Sequence, residues 1–156
     1  MNVHLIRDLN AEHSILMATL EAIRARGALD GETRVLLARA RAALVAHLDK
    51  EEREFYPVMR AAAEDNEVLR DTLRVMGQEM DAIAASALQA IDSWIDGVSG
   101  TGGVSGTDGA DNADSASFSE SFDAFVSLLT DRIQREERSL YARYLKLAAR
   151  AVARSG

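Results

Sequence analysis

Apolar residues recur at helical spacing along four stretches of the chain. Leu5, Leu9, Leu16, Leu20 and Ile23 form one stripe of a helix predicted over about residues 3–26. Gly27 and Asp30-Gly31 mark the following turn, and Asp30 is a candidate N-cap for a second helix carrying Val35, Leu36, Leu44 and Leu48. Pro57 is expected to bend or end that helix, with the break continuing through Ala61-Ala62-Ala63-Glu64-Asp65-Asn66. A third helix, about 66–96, carries Val68, Leu69, Leu73, Met76, Met80, Ile83, Ala87 and Ile91, and Gly97 stops it. Residues 97–117 are rich in Gly, Ser and Asp and read as a flexible loop. Ser117-Phe118-Ser119-Glu120 has capping-box spacing and opens a fourth helix, with Phe122, Phe125, Leu128, Leu129, Ile133 and Leu140 on its apolar side. No stretch alternates as a strand would. The pattern predicts an all-α fold, a four-helix up-down-up-down bundle with a long flexible loop between the third and fourth helices.

Composition agrees and narrows the chemistry. A chain of 156 residues with 47% hydrophobic content fits a single domain, 1–156, able to bury a bundle core. A single proline and abundant Ala, Leu, Glu and Arg favour helix. The formal charge of −7, with Lys and Arg interleaved among Asp and Glu, argues against a nucleic-acid partner. The N-terminus lacks a basic segment followed by an apolar one, and no segment approaches the roughly 18 apolar residues that span a bilayer. No membrane association and a cytoplasmic location are therefore expected. With no cysteine, any metal must be held by nitrogen and oxygen.

One charged cassette occurs twice. His47-Leu48-Asp49-Lys50-Glu51-Glu52-Arg53-Glu54-Phe55-Tyr56 matches Arg132-Ile133-Gln134-Arg135-Glu136-Glu137-Arg138-Ser139-Leu140-Tyr141 position by position. Upstream, Glu12-His13-Ser14-Ile15-Leu16 matches Glu79-Met80-Asp81-Ala82-Ile83. A spacing of four sets His47 with Glu51, and Arg132 with Glu136, on one helical face. Alone, such a pair contributes a few tenths of a kcal/mol to a helix. A helical hairpin used twice, each copy offering an inward charged face, points instead to a metal site inside a bundle. In each comparison one copy has lost its histidine.

This constellation resembles the hemerythrin-like HHE cation-binding family. The resemblance rests on Leu5-x-x-Asp8-Leu9-x-x-Glu12-His13-x-x-Leu16, His47-x-x-x-Glu51-Glu52, Glu79-Met80-x-x-Ile83 and Arg132-Ile133-x-x-Glu136-Glu137 followed by Leu140-Tyr141, and it covers the chain apart from the loop. It implies a non-haem metal centre in the bundle axis, commonly of two irons. His13, His47, Glu51 and Glu136 match the ligands of the first metal, while Met80 and Arg132 stand where the second metal's histidines would be. Thioether is a poor ligand for iron and guanidinium cannot ligate. The expectation is one divalent ion, iron foremost with manganese or zinc as alternatives, beside an Arg132 that donates hydrogen bonds to both Glu51 and Glu136.

The other candidates are assigned elsewhere. His4 lies about half a turn out of phase with His13. Glu52, Glu137, Arg53 and Arg138 read as a solvated face, and Tyr56 and Tyr141 as packing at the bundle end. A His13/Met80 haem pair would share its cavity with Glu51, Glu136 and Arg132, so no haem is expected. No Ser/His/Asp set, phosphate loop or dinucleotide fingerprint is present, and no enzymatic activity is expected. The reading is a metal-binding regulatory or sensor protein. The alternative is a metal-free interaction protein, because the fourth helix is also similar to that of the regulator-of-sigma-D family, whose partner is a sigma factor.

Overall fold

The computed structural model describes residues 1–97 and 108–156, the side chains of 108–115 excepted. Of the segment expected as a loop, 97–117, residues 98–107 lie outside the described residues, and 108–117 is helical. The described elements are helices: α1 (Leu5–Arg26), α2 (Gly31–Lys50), α3 (Tyr56–Ala63), α4 (Glu67–Asp96), α5 (Asp108–Glu136) and α6 (Ala142–Arg154). A π-helical turn, Glu51–Phe55, joins α2 to α3, and a second, Glu137–Tyr141, joins α5 to α6. The six segments thus make four bundle helices. α1 packs on α2 and α5, and α4 packs on the same two, which closes the four into a ring. Sequential neighbours joined by short turns run antiparallel.

Local chemistry sets the helix ends. Gly27 takes a left-handed conformation, φ 65°, after α1, where a side chain would be strained. Asp30 accepts a hydrogen bond from the Thr33 amide at 2.9 Å, and Asn66 one from the Leu69 amide at 3.0 Å, capping α2 and α4. Two predicted boundaries move. The second bundle helix runs through Pro57 to Ala63, because the π turn before the proline pairs the Tyr56 amide with the Glu51 carbonyl five residues back. Helical backbone begins at Asp108, so Ser117 is interior and no cap. A cap worth about 1 kcal/mol marks a place where a helix can begin, and it does not stop one already under way.

Two apolar clusters sandwich a polar layer. Near the α1–α2 turn, Leu20, Ile23, Leu37, Ile91 and Phe122 belong to one cluster; at the other end Leu5, Leu9, Phe55, Met59 and Tyr144 belong to the second. His13, His47, Glu51, Arg132 and Glu136 are the buried polar side chains between them. Each occupies a stripe position where a hydrophobic residue would otherwise sit: His13 between Leu9 and Leu16, His47 and Glu51 between Leu44 and Phe55, Arg132 and Glu136 between Leu129 and Leu140. Val35, Val68 and Leu128, expected in the stripes, are exposed. On α2 the register is set by Leu37, Ala40 and Leu44, and Val35 lies about 200° from Leu37 around the helix. Among the described residues no helix is long and apolar enough to cross a membrane.

Candidate metal centre

The two histidines meet head to head. His13 Nε2 and His47 Nε2 lie 3.1 Å apart, with Glu136 Oε2 at 3.8 Å from His13 Nε2. Each ring fixes its other nitrogen on a carboxylate from a neighbouring helix: His13 Nδ1 on Glu137 at 2.9 Å, and His47 Nδ1 on Glu12 at 2.9 Å. Carboxylates accept, so both Nδ1 atoms carry the hydrogen and both Nε2 atoms present lone pairs. Two lone pairs at this distance repel unless a cation lies between them. Nitrogens that share one metal at about 2.0–2.1 Å stand roughly 2.9–3.4 Å apart. The head-to-head spacing is that of two ligands of one ion.

Electrostatics keep the histidines neutral. Burial, followed by the neighbouring His13 and against the pull of Glu12, brings His47 down to about 4. Burial lowers His13 as well, against the pull of Glu137. Glu12 is opposed by its own burial, yet hydrogen bonds from Lys50 and His47 hold it below the usual carboxylate range. The inner carboxyls go the other way. Burial raises Glu51 to about 7, and burial together with the nearby Glu51 raises Glu136 to about 8. Arg132 pulls both down without overcoming desolvation. Without a further cation, one or both inner carboxyls hold a proton at neutral pH.

The structure brings together His13, His47 and Glu136, whose donor atoms lie within 4.8 Å of one another. Glu51 adjoins this group on the His47 side, its Oε1 at 3.6 Å from His47 Nε2 and accepting the Tyr141 hydroxyl at 2.6 Å. Glu136 Oε2, turned toward the histidines, has no hydrogen-bond partner among the described residues. Arg132 is 1% exposed, so it does not reach solvent, and its single bond among the described residues is from Nη2 to Glu136 Oε1 at 3.3 Å. The expected clamp on both carboxylates is not made: Glu51 Oε1 accepts from Tyr141, while Glu51 Oε2 and Arg132 Nε and Nη1 have no hydrogen-bond partner among the described residues. Met80 belongs to the wall of a cavity that Glu51 also lines.

Three expectations for the surroundings change. Glu137 is not simply part of a solvated face: a ring N–H beside a metal needs an acceptor, and Glu137 supplies it for His13. Glu12, read only as part of a motif, does the same for His47 and is tied to Lys50. Tyr141 is not end packing. It lies parallel to His13 with ring centroids 5.6 Å apart and donates to Glu51. The sequence signal for both carboxylates is their place next to a residue of the cluster, Glu12 before His13 and Glu137 after Glu136.

Two imidazole nitrogens and one carboxylate, dry and held in place from behind, fit a divalent cation. Residues 4–144 match the family model of the hemerythrin HHE cation binding domain, and the chain belongs to that family. No curated protein and no solved structure matches it. Family and site together define a cation-binding four-helix bundle.

Proposed function

We propose that this protein is a hemerythrin-like metal sensor or regulator with one ion per chain. His13, His47 and Glu136 are the ligands, Glu51 is available as a fourth, and Met80 and Arg132 replace the second site. The observation that carries the reading is the 3.1 Å approach of the two Nε2 atoms beside Glu136 Oε2, which has no hydrogen-bond partner among the described residues. A set of two histidines and one carboxylate with open positions suits iron(II) best, with manganese and zinc as competitors. Ligands from the first, second and fourth bundle helices make occupancy a cross-link of the bundle, and that stiffening is the signal a partner would read.

The test is elemental analysis of chelator-free protein together with thermal melts. Saturation at about a thousand times Kd stabilises by about 4 kcal/mol. For a domain of this size that is a rise of about 8–16 °C in Tm. No bound metal and no rise with iron, manganese or zinc would remove the proposal. A metal-free interaction protein is then the better reading, favoured by Arg132, which puts a buried positive charge on Glu136 without any metal. Its test is recovery of a sigma subunit from a bacterial lysate by the immobilised chain.

A further inference from the structure

We propose that α6 docks this protein on an anionic phospholipid surface, with Arg143, Lys146, Arg150 and Arg154 against the headgroups and Leu145 and Val152 dipping between them. α6 carries these four cations and no acidic residue, in a chain whose formal charge is −7. Their spacing of three and four sets them in one stripe along about 16 Å of the helix. None of the four makes an ion pair among the described residues, and Lys146, Arg150 and Arg154 are exposed. Most cations elsewhere are paired, some across helices, as Arg24 is with Asp123, Arg41 with Asp92 and Arg135 with Glu79.

A second stripe is apolar and faces outward. Tyr144 and Ala148 are the buried residues of α6, and Leu145, Ala149 and Val152 follow one another about 90° further round. Leu145 is 48% and Val152 62% exposed, and Val152 shares a shallow cavity of about 500 Å³ with Met1 and Val3, each more than half exposed. A neighbouring cavity of about 470 Å³ includes Arg150 and Arg154, and no acidic side chain lines either one. Cations hold such a helix to anionic headgroups, and its apolar side chains enter the acyl boundary. Lying there takes neither a spanning segment nor a leader, the two features whose absence led to the expectation of no membrane association. A second copy of the chain is disfavoured as occupant, because pairing α6 with α6 sets like charges together. An acidic protein would need a groove of its own for residues 149–156, all of which are exposed, whereas a lipid surface adapts to them. Helices are about 10 Å across, so the acidic groups of those behind α6 stand beyond the screening length of about 8 Å.

The test is co-sedimentation of the full chain with vesicles of phosphatidylcholine alone and of phosphatidylcholine mixed with phosphatidylserine, at low and at physiological salt. Binding to the mixed vesicles only, weakened by salt, is expected. Each cation near such a surface is worth about fivefold in affinity, so Lys146→Gln with Arg150→Gln should weaken binding about 25-fold. Arg34→Gln with Arg39→Gln removes the same charge from α2, where neither arginine makes an ion pair among the described residues, and should leave the affinity unchanged. Leu145→Ser with Val152→Ser keeps every charge and should still weaken binding about tenfold. The α6 side chains changed are exposed, so these variants should melt as wild type does. No binding to the mixed vesicles, equal binding to phosphatidylcholine alone, an equal loss in the α2 variant, or no loss in the serine variant would each overturn the proposal. If the chain ignores vesicles but self-associates or retains an acidic protein through these residues, the face is a protein interface and the proposal falls.

Discussion

Glu136→Gln separates what the site costs the fold from what it does. Glu136 is fully buried and raised from its ordinary 4.5 to about 8, first by burial and then by Glu51. A carboxyl whose folded value lies above its unfolded value gives its full contribution to stability below about 4.5 and loses it as pH rises toward about 8. At about 1.4 kcal/mol per unit the span amounts to about 5 kcal/mol. Because Glu51 titrates with it, about 2–4 kcal/mol is the share that removing Glu136 alone should recover. Glutamine keeps an oxygen to accept the Arg132 Nη2 bond and has no proton to lose.

The assay is urea denaturation in chelator at about pH 6.5 and about pH 8.5, above the range in which the lowered His47 and His13 add stability as pH rises. Wild type should lose stability between the two, and Glu136→Gln should lose much less, emerging the more stable protein at the higher pH. Adding metal should reverse that order, because only wild type offers the third ligand. A variant destabilised equally at both pH values, with wild type gaining stability as pH rises, would refute the reasoning. It would mean that Arg132 holds Glu136 ionised, and that the single 3.3 Å bond outweighs burial.

Other outcomes follow from the same geometry. His47→Ala should abolish the metal-dependent rise in Tm, checked by thermal melts with and without iron or zinc. Glu12→Gln and Glu137→Gln leave every ligand in place but loosen a ring, so each should weaken metal affinity about 10–100-fold in a competition titration against a chelator. Arg132→His alone should leave the metal content at one ion per chain, and only the double change with Met80→His should raise it toward two by elemental analysis. Metal binding to wild type should release protons at neutral pH, since burial keeps Glu136 and Glu51 above the usual carboxylate range, and the release should fade in alkaline buffer.

The bundle was legible because its four stripes repeat at helical spacing, and the centre because the cassette repeats within them. The sequence could place His13, His47 and Glu136 on inward faces, since facing follows from periodicity alone. It could not show that Glu12 serves His47 and Glu137 serves His13. Those bonds cross between helices, and their partners depend on how α1 sits against α2 and α5. Nor could it settle Arg132, whose residue type allows a clamp on two carboxylates. Tyr141, the donor that Glu51 does have, comes into reach only through the local helix geometry.

That geometry is itself written in the repeat. His47, Glu51, Phe55, Met59 and Ala63 are all buried at a constant spacing of four, and so are Arg132, Glu136, Leu140, Tyr144 and Ala148. An ideal α-helix advances about 40° too far at each such step, which would carry the fifth residue of each run about 160° away from the first. Both runs stay inward because each contains a π turn, which takes in one extra residue and turns the phase back by about 100°. Pro57 follows the turn in the first copy, but the second copy has the turn and no proline, so the proline does not explain it. What the copies share is the need to bury a polar pair and then an aromatic layer beneath it. The widened turn lets Glu51 and Tyr141, from opposite copies, meet at 2.6 Å beside the His13–His47–Glu136 cluster. The duplication therefore encodes a backbone feature as well as side chains, and the Tyr141–Glu51 contact survives although the copy that supplies the tyrosine has lost its histidine.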